Sequence, residues 1–190
     1  WRRFRNTRWP TFWVQDGPVG SHQYRLRTLF EEIHMQWDWP AIVNFYEAKA
    51  YCNWLTEQNT AEDRPYRLLY EKEHVAMRDE SQQRLTDWQP GENHRLDTDP
   101  VMSGDALKRR DHNLNLRYGC EGPVEANEPN KAGFRDVFGN VWQWCEDPFH
   151  PLQDFEIHPY YVDFSTPCYD GEHQMILGGS FISTGDEASI

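Results

Sequence analysis

The dipeptide Gly139-Asn140, inside Val137-Phe138-Gly139-Asn140-Val141-Trp142-Gln143-Trp144, restricts the possible folds more than any other stretch of the chain. Both residues tolerate positive φ, so a sharp backbone turn is expected there. Val141, Trp142 and Trp144 follow at once and crowd large apolar groups into one short segment. The turn is thereby tied to a core anchor. In extended backbone Trp142 and Trp144 stand two apart and project to one face, with Val141 and Gln143 on the other. The pattern predicts an inward aromatic pair beside a turn. It serves a well-packed core strand as readily as a binding surface, because buried rings are more often structural than catalytic.

The aromatic content is high, at 15% of 190 residues, which favours a core and cleft built on rings over long aliphatic helices. The length suits one domain, or one and a fraction, with a real core. Mean hydropathy is −0.90 and no run of 18 apolar residues occurs, so no membrane-spanning segment is expected. A net charge of −12 argues against general nucleic-acid binding, which needs a basic surface. The basic run Arg2-Arg3-Phe4-Arg5 reads as a solvated edge. The chain opens at Trp1 without an initiator Met or a signal-type apolar region and stops at Ile190 without a closing element, so a fragment of a longer protein is expected. Cys52, Cys120, Cys145 and Cys168 form no C-x-x-C, and four scattered thiols suit a reducing cytoplasm.

Residues 1 to 40 carry Trp9-Pro10, Gly17-Pro18 and Trp39-Pro40 and read as loops, with short strands around Thr11–Val14 and Tyr24–Phe30. Asn44 as N-cap and Glu47 three residues later form a capping-box signature, which predicts a helix over Phe45–Gln58. Ala48, Tyr51, Cys52 and Leu55 make its apolar stripe and leave Glu47, Lys49 and Asn53 outside. A second helix is expected over Glu71–Arg78, after extended Tyr66–Leu69, with His74 at a packing position. Residues 79–110 are polar and aperiodic, a long loop or insertion. Alternation returns in Asn113–Tyr118, which reads as a strand. Prolines at 148, 151, 159 and 167 predict an irregular excursion, and Met175–Leu177 predicts a last strand ahead of Gly178-Gly179.

The chemistry these residues permit is narrow. No two of the eight histidines have i, i+4 spacing, and neither H-E-x-x-H nor H-x-x-x-H-x-E occurs, so a complete iron or zinc site within the chain is not expected. G-x-S-x-G, G-x-G-x-x-G and Walker sequences are also lacking. What remains is a cluster of rings and hydrogen-bonding groups: Trp142, Trp144, His150, His158, Tyr160 and Tyr161. Such a set suits a small polar substrate or a proton donor for chemistry centred elsewhere. It equally suits a rigid Pro-aromatic loop that only packs.

The run from Gly133-Phe134 through Gly139-Asn140-Val141-Trp142-Gln143-Trp144, with Leu177-Gly178-Gly179-Ser180-Phe181 further on, resembles the paired motifs of the formylglycine-generating-enzyme/sulfatase-modifying-factor family. Val43 to Leu55 resembles that family's V-x-[WFY]-x-[ED]-A-x-A-[YF]-C-x-W helix. Trp9-Pro10-Thr11-Phe12-Trp13, Asn113–Gly119 and Gly178–Ala188 most resemble the 5-histidylcysteine sulfoxide synthase branch, the enzymes of ovothiol biosynthesis.

The resemblance implies an α+β, C-type-lectin-like fold with little regular structure, two main helices and small antiparallel sheets. It implies a domain of a non-haem Fe(II) enzyme that uses oxygen to join a cysteine sulfur to a histidine ring carbon and oxidises that sulfur. The resemblance also implies that the iron ligands belong to an upstream domain of the same chain and that a methyltransferase domain follows downstream. The resemblance assigns catalysis to the loop after W-x-W. There His150 stands nearest the family's tyrosine position, with Tyr160 and Tyr161 the next phenols, and Trp142, Trp144, Ser180 and Thr184 are the substrate-binding candidates. It also implies calcium near Asn140, whose oxygen is a hard ligand. An ergothioneine-type synthase, a formylglycine-generating oxidase and a non-catalytic lectin-like module stay open as alternatives.

Overall fold

Helix α1, Phe45–Gln58, is set by its cap. Asn44 lies in extended backbone, its Oδ1 accepts the Glu47 N–H at 3.0 Å, and the Glu47 carboxylate accepts the Asn44 N–H at 3.1 Å. Both halves of the capping box therefore form, and the helix has the predicted bounds. The predicted apolar stripe needs correction. Tyr51 is 58% exposed and stacks on Trp54 at 5.7 Å, whereas Lys49, placed outside by the sequence pattern, lies on the covered side and pairs with Glu146. The partly covered positions are Phe45, Glu47, Ala48, Lys49, Cys52, Leu55 and Thr56. Lys49 can join an apolar stripe because its stem packs while a carboxylate receives its ammonium.

The computed structural model describes residues 8–59, 64–78 and 112–183; the expectations for Arg2, Arg3 and Arg5, for residues 79–110 and for Thr184 lie outside them. The described residues form two units. The first takes in residues within 8–43, 77–142 and 178–183, the second those within 44–76 and 143–177.

In the first unit β1 (Trp13–Gln15), β2 (Tyr24–Arg27) and β3 (Glu32–His34) form an antiparallel sheet in that order. Trp13 pairs with Leu26, and Leu26 with Ile33. The single strand expected over Tyr24–Phe30 is thus cut at Arg27, where the Thr28 N–H and hydroxyl both donate to the Glu31 carbonyl at 2.9 Å and reverse the chain into β3. Leu114, Val137 and Phe138 are buried together, with Met77 against them. The strand expected over Asn113–Tyr118 does not form. Asn115 and Leu116 take φ of +53° and +55°, so the segment turns, and their N–H groups donate to the carbonyls of Ser183 and Phe181 at 3.0 and 2.7 Å. The neighbours Asn113 and Leu114 are buried while Leu116 and Tyr118 are exposed, so the alternation here corresponds to no single covered face.

In the second unit α2, Glu71–Met77, ends one residue short of the expectation, and His74 is fully buried at its packing position. Strand β4 (Gln143–Pro148) pairs antiparallel with β5 (Gln174–Leu177), with Trp144 opposite Ile176 and an irregularity before Pro148. The excursion between them was expected to lack regular structure, yet it holds a short helix α3, Val162–Ser165, and a 3-10 turn over Thr166–Cys168. Pro167 fits there because a first-turn position needs no N–H partner and its fixed φ is helical. Two main helices and small antiparallel sheets make the architecture α+β, as expected. Among the described residues no helix is long and apolar enough to cross a membrane.

Candidate functional site

The start of α2 organises the polar groups of the second unit. Tyr70, which precedes the helix, has no short polar side chain to cap it. Its acceptor comes from β4: Asp147 Oδ2 takes the Glu71 N–H at 2.6 Å. Glu73 completes the cap by accepting the Tyr70 N–H at 2.8 Å, and Arg67 holds Glu73 through two bonds of 2.6 and 2.7 Å. Loss of a helix cap costs about 1 kcal/mol, up to about 2. Asp147→Ala should therefore lower unfolding free energy by roughly that amount in urea titration, while Asp147→Asn, which keeps the acceptor, should lose far less.

The Arg67 guanidinium, and then the Tyr70 N–H, hold the Glu73 carboxyl at about 2, against an ordinary 4.5. A depressed carboxyl stabilises the fold fully above its ordinary value, and this contribution is lost as pH falls through the folded value. Melting temperatures followed from pH 5 to 2.5 should thus fall less steeply in Glu73→Gln than in the parent. Some fall will remain, because Asp170, held at about 2 chiefly by its hydrogen bond with His173, titrates in an overlapping window.

Past β4, His150 is exposed and its ring meets acceptors on both sides. Nδ1 lies 3.0 Å from the Pro151 carbonyl, which only accepts, so Nδ1 carries a hydrogen; Nε2 lies 3.5 Å from Glu71 Oε2. Further along the loop His158 sits 5.6 Å from the Tyr160 ring and 5.5 Å from the Tyr161 ring. The Tyr160 N–H donates to His158 Nδ1 at 3.3 Å, which leaves the hydrogen of a neutral ring on Nε2. Tyr160 is 86% and Tyr161 61% exposed, so both phenols face solvent.

The two tryptophans separate. Trp142 precedes β4 and is 38% exposed, while Trp144 lies within β4, partly covered, with its ring 6.1 Å from Phe45. The strand begins only at Gln143, so Trp142 stands outside it, and its exposure does not match the inward position predicted for it. The fully buried β4 residue is Cys145. Burial, and then the Asp147 and Glu71 carboxylates, push its thiol up to about 11, so it is a packing group and not a nucleophile. Cys52 is also raised, again first by burial, and all four cysteines are free.

In the first unit Ser180 locks a turn: its N–H donates to Ser183 Oγ at 2.9 Å and its own Oγ accepts the Ile182 N–H at 3.4 Å. Asn140, 2% exposed, centres a buried polar network. Its Oδ1 accepts the Gly122 N–H at 2.8 Å and an Asn113 Nδ2 hydrogen at 3.2 Å, and its Nδ2 donates to Asp136 Oδ2 at 3.0 Å and the Gly122 carbonyl at 3.3 Å. The Asn140 side-chain oxygen is thus already turned to two donors. For iron, no group of three His, Cys, Asp or Glu side chains could hold a metal among the described residues, so these residues do not fit an iron centre by themselves. The sequence reading missed Glu71 beside His150 and Asp147 at the start of α2. The one signal for Asp147 was a helix start at Tyr70 with no cap of its own.

The profile of the sulfatase-modifying factor enzyme 1-like domain matches residues 5–189. Ergothioneine biosynthesis protein 1 of Schizosaccharomyces pombe is 36% identical over 45 residues, 24% of this chain and 6% of that protein. The formylglycine-generating enzyme of Streptomyces coelicolor is 33% identical over 66 residues, 32% of this chain and 18% of that protein. The matches thus span less than a fifth of either relative's length. The solved structure of PvdO from Pseudomonas aeruginosa aligns over 96% of this chain and 63% of its own, with a TM-score of 0.44 and 18% identity. The match over residues 5–189 shows that the chain belongs to the sulfatase-modifying factor enzyme 1-like family.

Proposed function

We propose that this chain is the substrate-positioning domain of an oxygen-dependent, non-haem iron sulfoxide synthase that joins cysteine sulfur to the histidine imidazole, the ovothiol-type reaction. The observation that carries this reading is the loop of residues 149–161, which presents His150, His158, Tyr160 and Tyr161 to solvent from the end of β4. Those groups carry exchangeable protons in fixed settings. The carbonyl of Pro151 orients the His150 ring, and the Tyr160 N–H orients that of His158. The family match, and the stretch shared with an ergothioneine biosynthesis protein, support a sulfur-to-imidazole reaction.

Iron, held outside these residues, would supply oxygen activation when bound. The work left to this chain is to bind and orient small polar substrates and to hold a proton at His150 or the phenols. Orientation alone removes several kcal/mol from a barrier, and a placed proton donor contributes about a hundredfold or more. Trp142, Trp144 and Ser180 are the remaining substrate-facing candidates, Trp142 by its exposure. A reducing cytoplasm fits four free cysteines and a thiol substrate.

In the full-length parent, His150→Gln is expected to lower formation of the histidine–cysteine adduct about a hundredfold and to divert oxygen to cysteine sulfinate. An unchanged product ratio in that variant and in Tyr160→Phe and Tyr161→Phe would remove the loop from the reaction. A second reading, a formylglycine-generating oxidase, is favoured by the 66-residue match to the Streptomyces enzyme, and conversion of a peptide cysteine to an aldehyde would select it.

A further inference from the structure

Two turns of the first unit are tied to each other, and one of them is strained. Asn115 and Leu116 hold φ of +53° and +55°, and Leu116 is 47% exposed in that conformation. The left-handed region is unfavourable for an L-residue, and a leucine at the surface recovers little of the loss by burial. Backbone pairing offsets it: the Leu116 N–H donates to the Phe181 carbonyl at 2.7 Å and the Asn115 N–H to the Ser183 carbonyl at 3.0 Å. Phe181 and Ser183 are buried, and the Phe181 N–H donates to the Asn140 carbonyl, so the second turn is anchored in the interior. Backbone strain held in place by its surroundings clusters at ligand-binding positions.

The strained turn leads directly into Arg117. The Arg117 N–H donates to the Leu114 carbonyl and the Gly119 N–H to that of Leu116, both at 3.1 Å, so the backbone around Arg117 is fixed next to the Ser180–Ser183 turn. Its side chain is exposed, with Cζ 5.1 Å from the centroid of the Tyr118 ring. A guanidinium over a ring face keeps an N–H edge for two parallel hydrogen bonds, the geometry a carboxylate fills. Charge narrows the choice of residue. On a chain of net charge −12 a carboxylate approaches against the overall field and needs a cation where it lands. Between residues 112 and 183 the Lys and Arg residues are Arg117, Lys131 and Arg135. Arg135 Nε donates to the Asn127 carbonyl at 2.9 Å, and a lysine lacks the planar fork.

We infer that Arg117 binds the α-carboxylate of a free amino-acid substrate beside the Ser180–Ser183 turn. The inference rests on the function proposed above for its ligand, because histidine and cysteine both carry that carboxylate. The probes are histidine against histamine and cysteine against cysteamine, each amine lacking only the carboxylate. Calorimetry on the full-length parent without oxygen reads binding apart from turnover. At least one of the two amino acids is expected to bind about ten- to a hundredfold more tightly than its amine. Arg117→Gln should abolish that difference by weakening the acid and leaving the amine unchanged, and Arg117→Lys should restore part of it through charge alone.

Equal weakening of acid and amine in Arg117→Gln would overturn the inference, because that pattern belongs to a displaced turn. A preference for the acid that survives in Arg117→Gln, or no binding of either amino acid by the parent, would overturn it as well. Discrimination that depends on Arg117 in a parent that forms no histidine–cysteine product fails only the proposed reaction. Adduct formation with KM for both amino acids unchanged in Arg117→Gln fails only the inference.

Discussion

Asn140→Leu is expected to destabilise the domain by about 3–6 kcal/mol, because each buried polar group left without its partner costs about 1–3 kcal/mol. The side chain is of similar size, so the loss is one of hydrogen bonds and not of volume. Gly122 N–H and one Asn113 Nδ2 hydrogen lose their acceptor, and Asp136 Oδ2 loses a donor. Asn140 also sits at φ +62°, which asparagine tolerates and leucine does not. The backbone side of the site is equally committed. Asn140 N–H donates to the Asn113 carbonyl at 2.8 Å, and Phe181 N–H donates to the Asn140 carbonyl at 3.0 Å. Asn140→Gly, which keeps the backbone conformation but empties the network, should lie between parent and Asn140→Leu. Urea unfolding of the three proteins checks the order.

Gly139→Ala is expected to cost about 2–5 kcal/mol. Gly139 has φ +82°, and an added Cβ would lie 2.6 Å from the Asn113 carbonyl oxygen and 3.1 Å from Leu114 Cγ. The left-handed conformation costs an L-residue about 1–2 kcal/mol, and forcing apart a packed core about 1–3 kcal/mol. The oxygen that must move is backbone and already accepts Asn140 N–H, so the clash cannot be relieved by a side-chain rotation. Gly133→Ala isolates the two causes. That glycine has φ +89° with no heavy atom within 4 Å of an added Cβ, so only the conformational part, about 1–2 kcal/mol, should appear. Gly139→Ala and Asn140→Leu share Asn113, and their combined effect should fall short of the sum.

These two positions show what in the chain was legible. Gly139-Asn140 announced its turn because few residue pairs accept two successive positive φ values. Asn44 and Glu47 announced α1 because a capping box is a local, reciprocal pattern. Period and composition were weaker guides. The three-residue β3 is too short for alternation to register, and Asn113–Tyr118 alternates without being a strand because Asn115 and Leu116 turn left-handed. Tyr51 fits the stripe of α1 by spacing, yet its ring stacks on Trp54 while Lys49 takes the covered place through Glu146. That exchange depends on a carboxylate brought up by β4, which spacing along one helix cannot register.

The candidate site divides in the same way. The exposure of His150, Tyr160 and Tyr161 follows from prolines that keep an irregular loop at the surface, whereas their candidacy as catalytic groups rests on the resemblance. Glu71 beside His150 and Asp147 on the α2 start come from tertiary approach between α2 and β4. Neither residue stands near its partner in the sequence. Trp142 and Trp144 looked alike in an extended segment, but only Trp144 lies within β4.

The most direct test of the proposed function is product identity. The full-length parent is loaded with Fe(II) without oxygen, then given oxygen, histidine and cysteine, and its products are read by mass spectrometry. The account predicts a histidine–cysteine sulfoxide adduct, with the cysteine sulfur bonded to the imidazole ring. Iron loading that yields cysteine sulfinate and no adduct, or no turnover of either amino acid, would contradict it.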